Sequence, residues 1–445
     1  MSGSITQKLL SVSWSNVRVV RRSTDSTVRE YIEMTWLRGI FLSGLIGLSL
    51  LAVQAMKPEL IASAARADGS GQHEIEAGRA DYVGDAACVP CHKKQGPSYL
   101  HTSHFLTSQA PNKDSVLGSF QQGSNVLSIV DPTTTAEPFL YFKMEAKGGR
   151  YYETAVTGWG NQVQTRTEPI DLVTGSGVRG ATYLYWQADQ LYELPVSYWT
   201  DGHQWINSPG YENGSVDFTR PVNPGCLECH ATYIRPLTQD PSTNRYDRDS
   251  LVTGISCERC HGPGARHVAR QKAGPASTST GQEILNPAKF SRDRQVDLCA
   301  LCHNGIQREA IAPAFSFTPG KRLSDYFKLL QTDAAEHPDV HGNQVGLLQR
   351  SRCYIASPNM TCSTCHDVHA KEQPAATYSA KCLTCHQWQS CPVSKTMGHA
   401  IANNCIDCHM PVEPTSVIVS ETADKVLRAT MRNHWIKIYP GAGNP

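Results

Sequence analysis

Alternation of apolar and polar positions dominates residues 118–215. Phe139-Leu140-Tyr141-Phe142-Lys143-Met144 and Arg150–Val156 flank Lys147-Gly148-Gly149, which predicts a β-hairpin. Asn161–Val173 and Ala181–Tyr198 are also rich in β-branched and aromatic residues and bounded by Gly, Pro and Asp. Together they predict a small antiparallel β module, whose aromatics (Tyr183, Tyr185, Trp186, Tyr192, Tyr198, Trp199, Trp205) are read mainly as strand packing. Outside this stretch the expected elements are short and helical: Pro97–His104, with proline in the first turn, a segment from His267, and one near Ala423–Met431. Residues 57–80 are small, polar and aperiodic and read as a linker. The apolar run Gly39–Ala55 follows Arg38; it has the length of a signal-peptide core and is marginal for a membrane span.

These patterns predict a mainly α fold with extensive loops and a small antiparallel β insertion. Composition changes the picture in one respect. Of 445 residues only 40% are hydrophobic, with 34 Gly and 26 Pro, so the chain has a thin apolar core for its length and needs another source of interior. Formal charge is +1; residues 1–55 hold six Lys/Arg and three Asp/Glu, so the remainder is slightly acidic and has no reason to bind nucleic acid.

The missing interior is explained by cysteine. Fourteen of the 16 cysteines fall in seven C-x-x-C-H units, numbered here sites 1 to 7. They are Cys88-Cys91-His92, Cys226-Cys229-His230, Cys257-Cys260-His261, Cys299-Cys302-His303, Cys362-Cys365-His366, Cys382-Cys385-His386 and Cys405-Cys408-His409. This is the attachment unit of c-type haem: two thiols add across the porphyrin vinyl groups and the histidine binds the iron. Zinc does not require a histidine after every pair, and seven pairs do not divide two by two. A thioredoxin-like dithiol would occur once. The expectation is seven covalent haems c and their iron. Such attachment takes place outside the cytoplasm. Residues 1–56 are accordingly read as a signal peptide, with translation starting at Met34, or as an uncleaved membrane anchor; cleavage is the preferred reading.

Ten of the 17 histidines remain for the opposite faces of the irons. His104, His267, His341, His369, His399 and His434 are the preferred ligands. His101, His203 and His337 are the reserve for a seventh; His337 precedes a proline, which favours extended geometry, and His73 reads as a solvated linker residue. Met410, adjacent to His409, reads as packing. In the octapeptide Cys362–His369, His366 and His369 lie three apart on one side of a turn, so both cannot bind one iron from opposite faces. If His366 serves site 5, His369 serves another site. The two cysteines outside the motifs, Cys353 and Cys391, are expected to form a disulfide in an oxidising compartment.

The segments Tyr82–His92, Ser98–His104, Cys226–Arg235, Cys257–His267, Asp339–Cys353, Met360–His369 and Cys405–Pro411 resemble the multihaem cytochromes c related to the tetrahaem acceptor of hydroxylamine oxidoreductase. The same superfamily contains pentahaem nitrite reductases and octahaem hydroxylamine and tetrathionate enzymes. The resemblance implies stacked haem pairs, bis-histidine ligation and periplasmic or cell-envelope electron traffic. By position, His104, His267, His341 and His369 match the family's distal ligands, and His399 and His434 match them less closely. No C-x-x-C-K occurs and no tyrosine cross-link site can be placed, which weakens an enzymatic reading. The expectation is therefore an electron carrier exchanging electrons with other redox proteins or quinol-linked membrane donors. The alternative is an oxidoreductase of small nitrogen or sulfur compounds at one open haem. The expected layout is a first haem unit at 81–117, the β insertion at 118–215, a hexahaem domain at 216–437 and a tail at 438–445.

Overall fold

Nine strands build the middle of the chain: β1 (Ser108–Gln109), β2 (Val126–Ser128), β3 (Tyr141–Lys147), β4 (Arg150–Thr157), β5 (Gln164–Pro169), β6 (Leu172–Thr174), β7 (Gly180–Gln187), β8 (Gln190–Trp199) and β9 (Gln204–Asn207). They form two antiparallel sheets, β2-β3-β4-β5 and β1-β6-β7-β8-β9. Along β3 the period-two pattern buries Phe142 and Met144 and turns Tyr141, Lys143 and Glu145 outward. Gly148 and Gly149, both at positive φ, close the β3–β4 hairpin. Phe142, Met144 and Ala155 of one sheet share a core with Val173, Tyr183, Tyr185, Leu194, Val196 and Trp205 of the other, which makes a β sandwich. Tyr183 and Tyr185, expected to pack on the strands, are core residues.

The computed structural model describes residues 78–129, 139–274, 283–305, 308–329, 337–338, 342–421 and 426–441. The apolar run Gly39–Ala55, His73 and His341 lie outside them. Among the described residues no helix is long and apolar enough to cross a membrane.

The expectation of a mainly α fold is overturned: among the described residues 29% are helical and 26% are in strands, distributed over five antiparallel sheets. Three two-stranded ribbons accompany the sandwich: β10 (Ala231–Pro236) with β11 (Tyr246–Thr253), β12 (Arg308–Ala310) with β13 (Phe327–Leu329), and β14 (Val412–Glu421) with β15 (Val426–Arg432). The attachment motifs themselves occupy only single helical turns, so the chain between them is free to pair as strands. From Val426 onward the expected helix is instead β15, paired with β14. The β-branched run Val417-Ile418-Val419 suits a strand. Tertiary contacts then decide the matter: Ser420 Oγ donates to Asn207 O at 2.8 Å and Gly210 N donates to Val419 O at 3.3 Å. The expected helix Pro97–His104 is shorter, Gly96–Tyr99, and leaves His101 and His104 in the turns that follow.

Two further cores carry the motif region. Leu172, Leu184 and Leu191 of the sandwich pack with Val222, Leu227, Tyr233, Ile234 and Tyr246, which seats the site 2 helix Pro224–His230 against the sandwich. Val296, Ala300 and Leu301 of the helix Arg292–His303 pack with Phe317, Leu323, Phe327, Val345 and Tyr354, which supports site 4.

Candidate haem-attachment sites

Each motif is wound so that its histidine follows one turn after its first cysteine. Sites 2, 3 and 4 lie in the helices Pro224–His230, Cys257–His261 and Arg292–His303. At sites 1, 5, 6 and 7 the histidine N–H donates to the carbonyl of the first cysteine four residues back: His92 to Cys88 at 3.0 Å, His366 to Cys362 at 2.9 Å, His386 to Cys382 at 2.9 Å and His409 to Cys405 at 3.1 Å. One turn therefore carries both thiols and the imidazole, the arrangement that c-type attachment needs.

The folded chain brings four of these histidines against a second imidazole. Ring centres are 6.3 Å apart for His92 and His267, 5.9 Å for His303 and His104, 6.3 Å for His261 and His369, and 6.2 Å for His366 and His434. An imidazole nitrogen binds a metal at about 2 Å and its ring centre lies roughly 1 Å further out, so two imidazoles on opposite sides of one metal have centres about 6 Å apart. All four spacings fit an iron between the rings. Among the described residues no group of three or more His, Cys, Asp or Glu converges as a metal site. Paired imidazoles suit haem, whose porphyrin supplies the other ligands.

Proton placement agrees with this. His261 Nδ1 is 2.8 Å from Leu285 O, His409 Nδ1 2.9 Å from Lys437 O and His434 Nδ1 3.0 Å from Arg432 O. A carbonyl only accepts, so Nδ1 carries the proton and Nε2 keeps its lone pair for a metal. His303 Nδ1 reaches Gln344 Oε1 at 3.3 Å, and His230 Nδ1 reaches Thr107 Oγ1 at 3.1 Å. Burial pushes the pKa of His434 down to about 4. The protein packed around His104 does the same, to about 4, with His303 and His366 adding to the effect although the ring has accessible surface. His261, His303 and His366 are lowered as well, chiefly by burial. These rings are held neutral, the form that binds a metal.

Specific contacts set the pairs. Glu258, between the cysteines of site 3, accepts from Val83 N at 2.9 Å, Gly84 N at 2.8 Å and Gly264 N at 2.8 Å. Asp85 Oδ1 accepts from Cys257 N at 3.0 Å. The site 1 segment is thus bound to the site 3 helix, and the helix Ala265–Ala273 starts where His267 meets His92. His104 is placed by Ile255 N donating to its carbonyl at 2.9 Å. Gly254, at φ +65°, permits this approach, because a Cβ there would overlap Phe105 O. Towards the C-terminus, Trp435 packs against the cations of Arg350 at 3.7 Å and Lys437 at 3.4 Å, which anchors the segment carrying His434 and the Lys437 carbonyl.

Thiols of different sites also touch. Cys88 contacts Cys257, Cys229 contacts Cys302, and Cys299 contacts Cys362. Arg292 supports the last contact: its Nε donates to Met360 O at 3.1 Å and its Nη2 to Tyr354 O at 2.8 Å, tying the site 5 approach to the site 4 helix. Cys382 of site 6 lies near both Cys365 and Cys405.

Other expected residues fall differently. Cys353 and Cys391 are not bonded. Cys353 lies near Cys365 and Cys382, whereas Cys391 lies near Cys408, so each faces a different attachment site. His399 is exposed with its ring edge-on to Trp388 at 5.1 Å. His337 is exposed with Nδ1 2.9 Å from Glu413 Oε2. His101 is exposed, and His203 adopts φ 47° in a turn beside a sandwich cavity of about 470 Å³ lined by Tyr198, Gln204 and Trp205. Among the described residues no second imidazole stands beside His386 or His409. Thr107, Gln344, Glu258 and the Leu285 and Lys437 carbonyls were not signalled by motif reading.

A family model described as "Cytochrome c554 and c-prime" matches residues 207–262, which span sites 2 and 3. The C-type polyheme cytochrome OmcC of Geobacter sulfurreducens is 25% identical over 169 residues, covering 36% of this chain and 20% of that protein. The multiheme cytochrome MtrA of Shewanella baltica is 26% identical over 196 residues, covering 42% of this chain and 45% of that protein. The chain thus matches less than half the length of either relative. The crystal structure of the outer cell wall cytochrome OcwA aligns over 80% of both chains with a TM-score of 0.44 and 17% identity. The repeated C-x-x-C-H units, the family-model match and the similarity to OmcC and MtrA support a multihaem cytochrome c with covalently bound haem c.

Proposed function

We propose that this chain is an exported heptahaem electron carrier in which most irons are bound by two histidines. The observation that carries the reading is the set of four imidazole pairs with centres 5.9–6.3 Å apart. Haem iron, when bound, supplies a one-electron couple. The chain's own part is ligation and placement. His92 with His267, His303 with His104, His261 with His369 and His366 with His434 would hold four irons. An iron held by two histidines would keep no open site, which favours electron transfer over small-molecule binding. Contacts between Cys88 and Cys257, Cys229 and Cys302, and Cys299 and Cys362 support attachment sites packed edge against edge. Donors and acceptors would be other redox proteins or membrane-linked carriers, met in the periplasm or at the cell envelope.

Electron paramagnetic resonance of the oxidised protein, with a haem count by mass spectrometry, tests this. Seven haems and low-spin signals are expected. A count below seven, or a high-spin signal shifted by nitrite or hydroxylamine, overturns it. That second result would favour an oxidoreductase of small nitrogen or sulfur compounds. The observation behind that reading is that His386 and His409 have no second imidazole beside them among the described residues.

A further inference from the structure

We infer that Arg259 and Arg308, buried with Glu228 where sites 2 and 4 meet, form a fixed positive charge that raises the reduction potentials of the haems at those two sites. The inference rests on the electron-carrier reading and adds to it where electrons settle. Glu228 and Arg259 are the residues just before Cys229 and Cys260, so the charge is built into the attachment turns themselves. Glu228 is 3% exposed and Arg259 8%. Arg308 is largely covered, with 10% of its side chain exposed: its guanidinium donates to Leu301 O, stands 3.9 Å from Cys229 Sγ and packs 4.1 Å over Phe327. Arg259 Nη2 donates to Glu228 O at 2.8 Å, and the guanidinium packs over Phe315 at 5.4 Å. The thiols of Cys229 and Cys302 meet in the same place, and Cys302 Sγ donates to Glu228 O at 3.8 Å.

The charges do not balance. Around Cys229 the two guanidiniums meet one carboxylate: that of Glu228 lies 3.8 Å from Arg308 Nη2 and accepts from Phe315 N at 3.0 Å, Arg259 reaches only the Glu228 main-chain carbonyl, and the carboxylate of Glu258 is turned to the N–H groups of Val83, Gly84 and Gly264. Arg259 Nε is buried with no hydrogen-bond partner. Arg220 is paired with Glu193 at 3.4 Å. One uncompensated positive charge in a medium of low dielectric acts strongly on neighbouring charge. Reduction removes one positive charge from a haem, so a fixed cation beside it stabilises the reduced form. Sites 2 and 4 are therefore the pair on which electrons come to rest.

The test is a spectroelectrochemical titration of the full-length holoprotein and its variants, each checked for haem count and low-spin signal. Arg308→Met should move two components of the titration to lower potential and leave the rest in place; Arg308→Lys should leave all near their original values. Glu228→Gln, which adds net positive charge, should move the same two components upward. It carries the test on its own if Arg308→Met loses haem. Components that stay put, move in the opposite sense or shift all together overturn the inference. Loss of the low-spin signals in the unmutated protein would instead overturn the carrier reading, and the two failures are read from different spectra.

Discussion

His261 and His369 face each other with ring centres 6.3 Å apart and planes 22° from parallel, although His369 belongs to the octapeptide that carries site 5. Asp367 Oδ1 accepts from His369 N at 3.0 Å and shapes the turn that sends the ring away from His366. His366 itself faces His434. Eight consecutive residues thus reach into two attachment sites.

Replacing His369 by alanine should convert one low-spin haem to high spin in the oxidised protein. The signal should belong to site 3. Adding Cys257→Ala and Cys260→Ala should abolish the new signal, whereas adding Cys362→Ala and Cys365→Ala should leave it. The opposite pattern would return His369 to its own motif.

Glu258 is 3% exposed and accepts three backbone N–H bonds from two separate segments. Hydrogen bonds to a charged acceptor contribute about 1.5–3 kcal/mol each. Glu258→Ala should therefore cost at least about 3 kcal/mol in urea unfolding followed by circular dichroism. It should also free the start of the helix Ala265–Ala273, so the low-spin signal of site 1 should weaken through loss of the His92–His267 pairing. Unchanged stability with an unchanged spectrum would contradict this role.

Gly254 permits a contact that no side chain allows, since its φ is +65° and a Cβ would overlap Phe105 O. Gly254→Ala should destabilise by about 1–3 kcal/mol, the range of a strained backbone position. Because Ile255 N holds the His104 carbonyl, the displaced loop should also move His104 off His303. Thermal unfolding and the site 4 spin state measure the two effects. A spectrum unaltered at site 4 would detach Gly254 from ligand placement.

Glu153 is fully buried in the sandwich, with Oε1 accepting from Val196 N at 3.1 Å and Oε2 without a partner. Burial raises its pKa well above the usual 4.5. The folded state then holds a proton that the unfolded state releases above that value, so stability falls as pH rises above about 4.5, by up to about 1.4 kcal/mol per pH unit. Below the unfolded pKa both states are protonated and the penalty vanishes. Glu153→Gln should match the unmutated protein near pH 4 and become progressively more stable than it at higher pH. Melting curves across that range that stay parallel would show that Glu153 does not titrate between the two states.

Attachment chemistry is local, and for that reason it can be read in the chain. Two thiols and an imidazole within one turn have a spacing that no other site type explains seven times over. That His366 and His369 cannot serve one iron is equally local, since it depends only on the geometry of a turn. The strands of the sandwich carried their own period, as Phe142 and Met144 show against Lys143 and Glu145. Strands beside the motifs were missed because short segments such as Ala231–Pro236 have no long-range period and become strands only when a partner such as Tyr246–Thr253 arrives. The same holds for Val426–Arg432, which tertiary pairing with β14 turned from the expected helix into a strand. The expected bond between Cys353 and Cys391 failed for a related reason: being left over in composition does not bring two thiols together.

By itself, the sequence determined the number, type and winding of the attachment motifs, and which histidines were left to complete them. Only the tertiary structure decided which imidazole faces which, that Glu258 joins sites 1 and 3, and that Arg259 and Arg308 meet between sites 2 and 4. Covalent spacing is a property of neighbouring residues. An imidazole pair about 6 Å across, or a buried charge with too few counter-charges, exists only after distant segments have packed and water has been excluded.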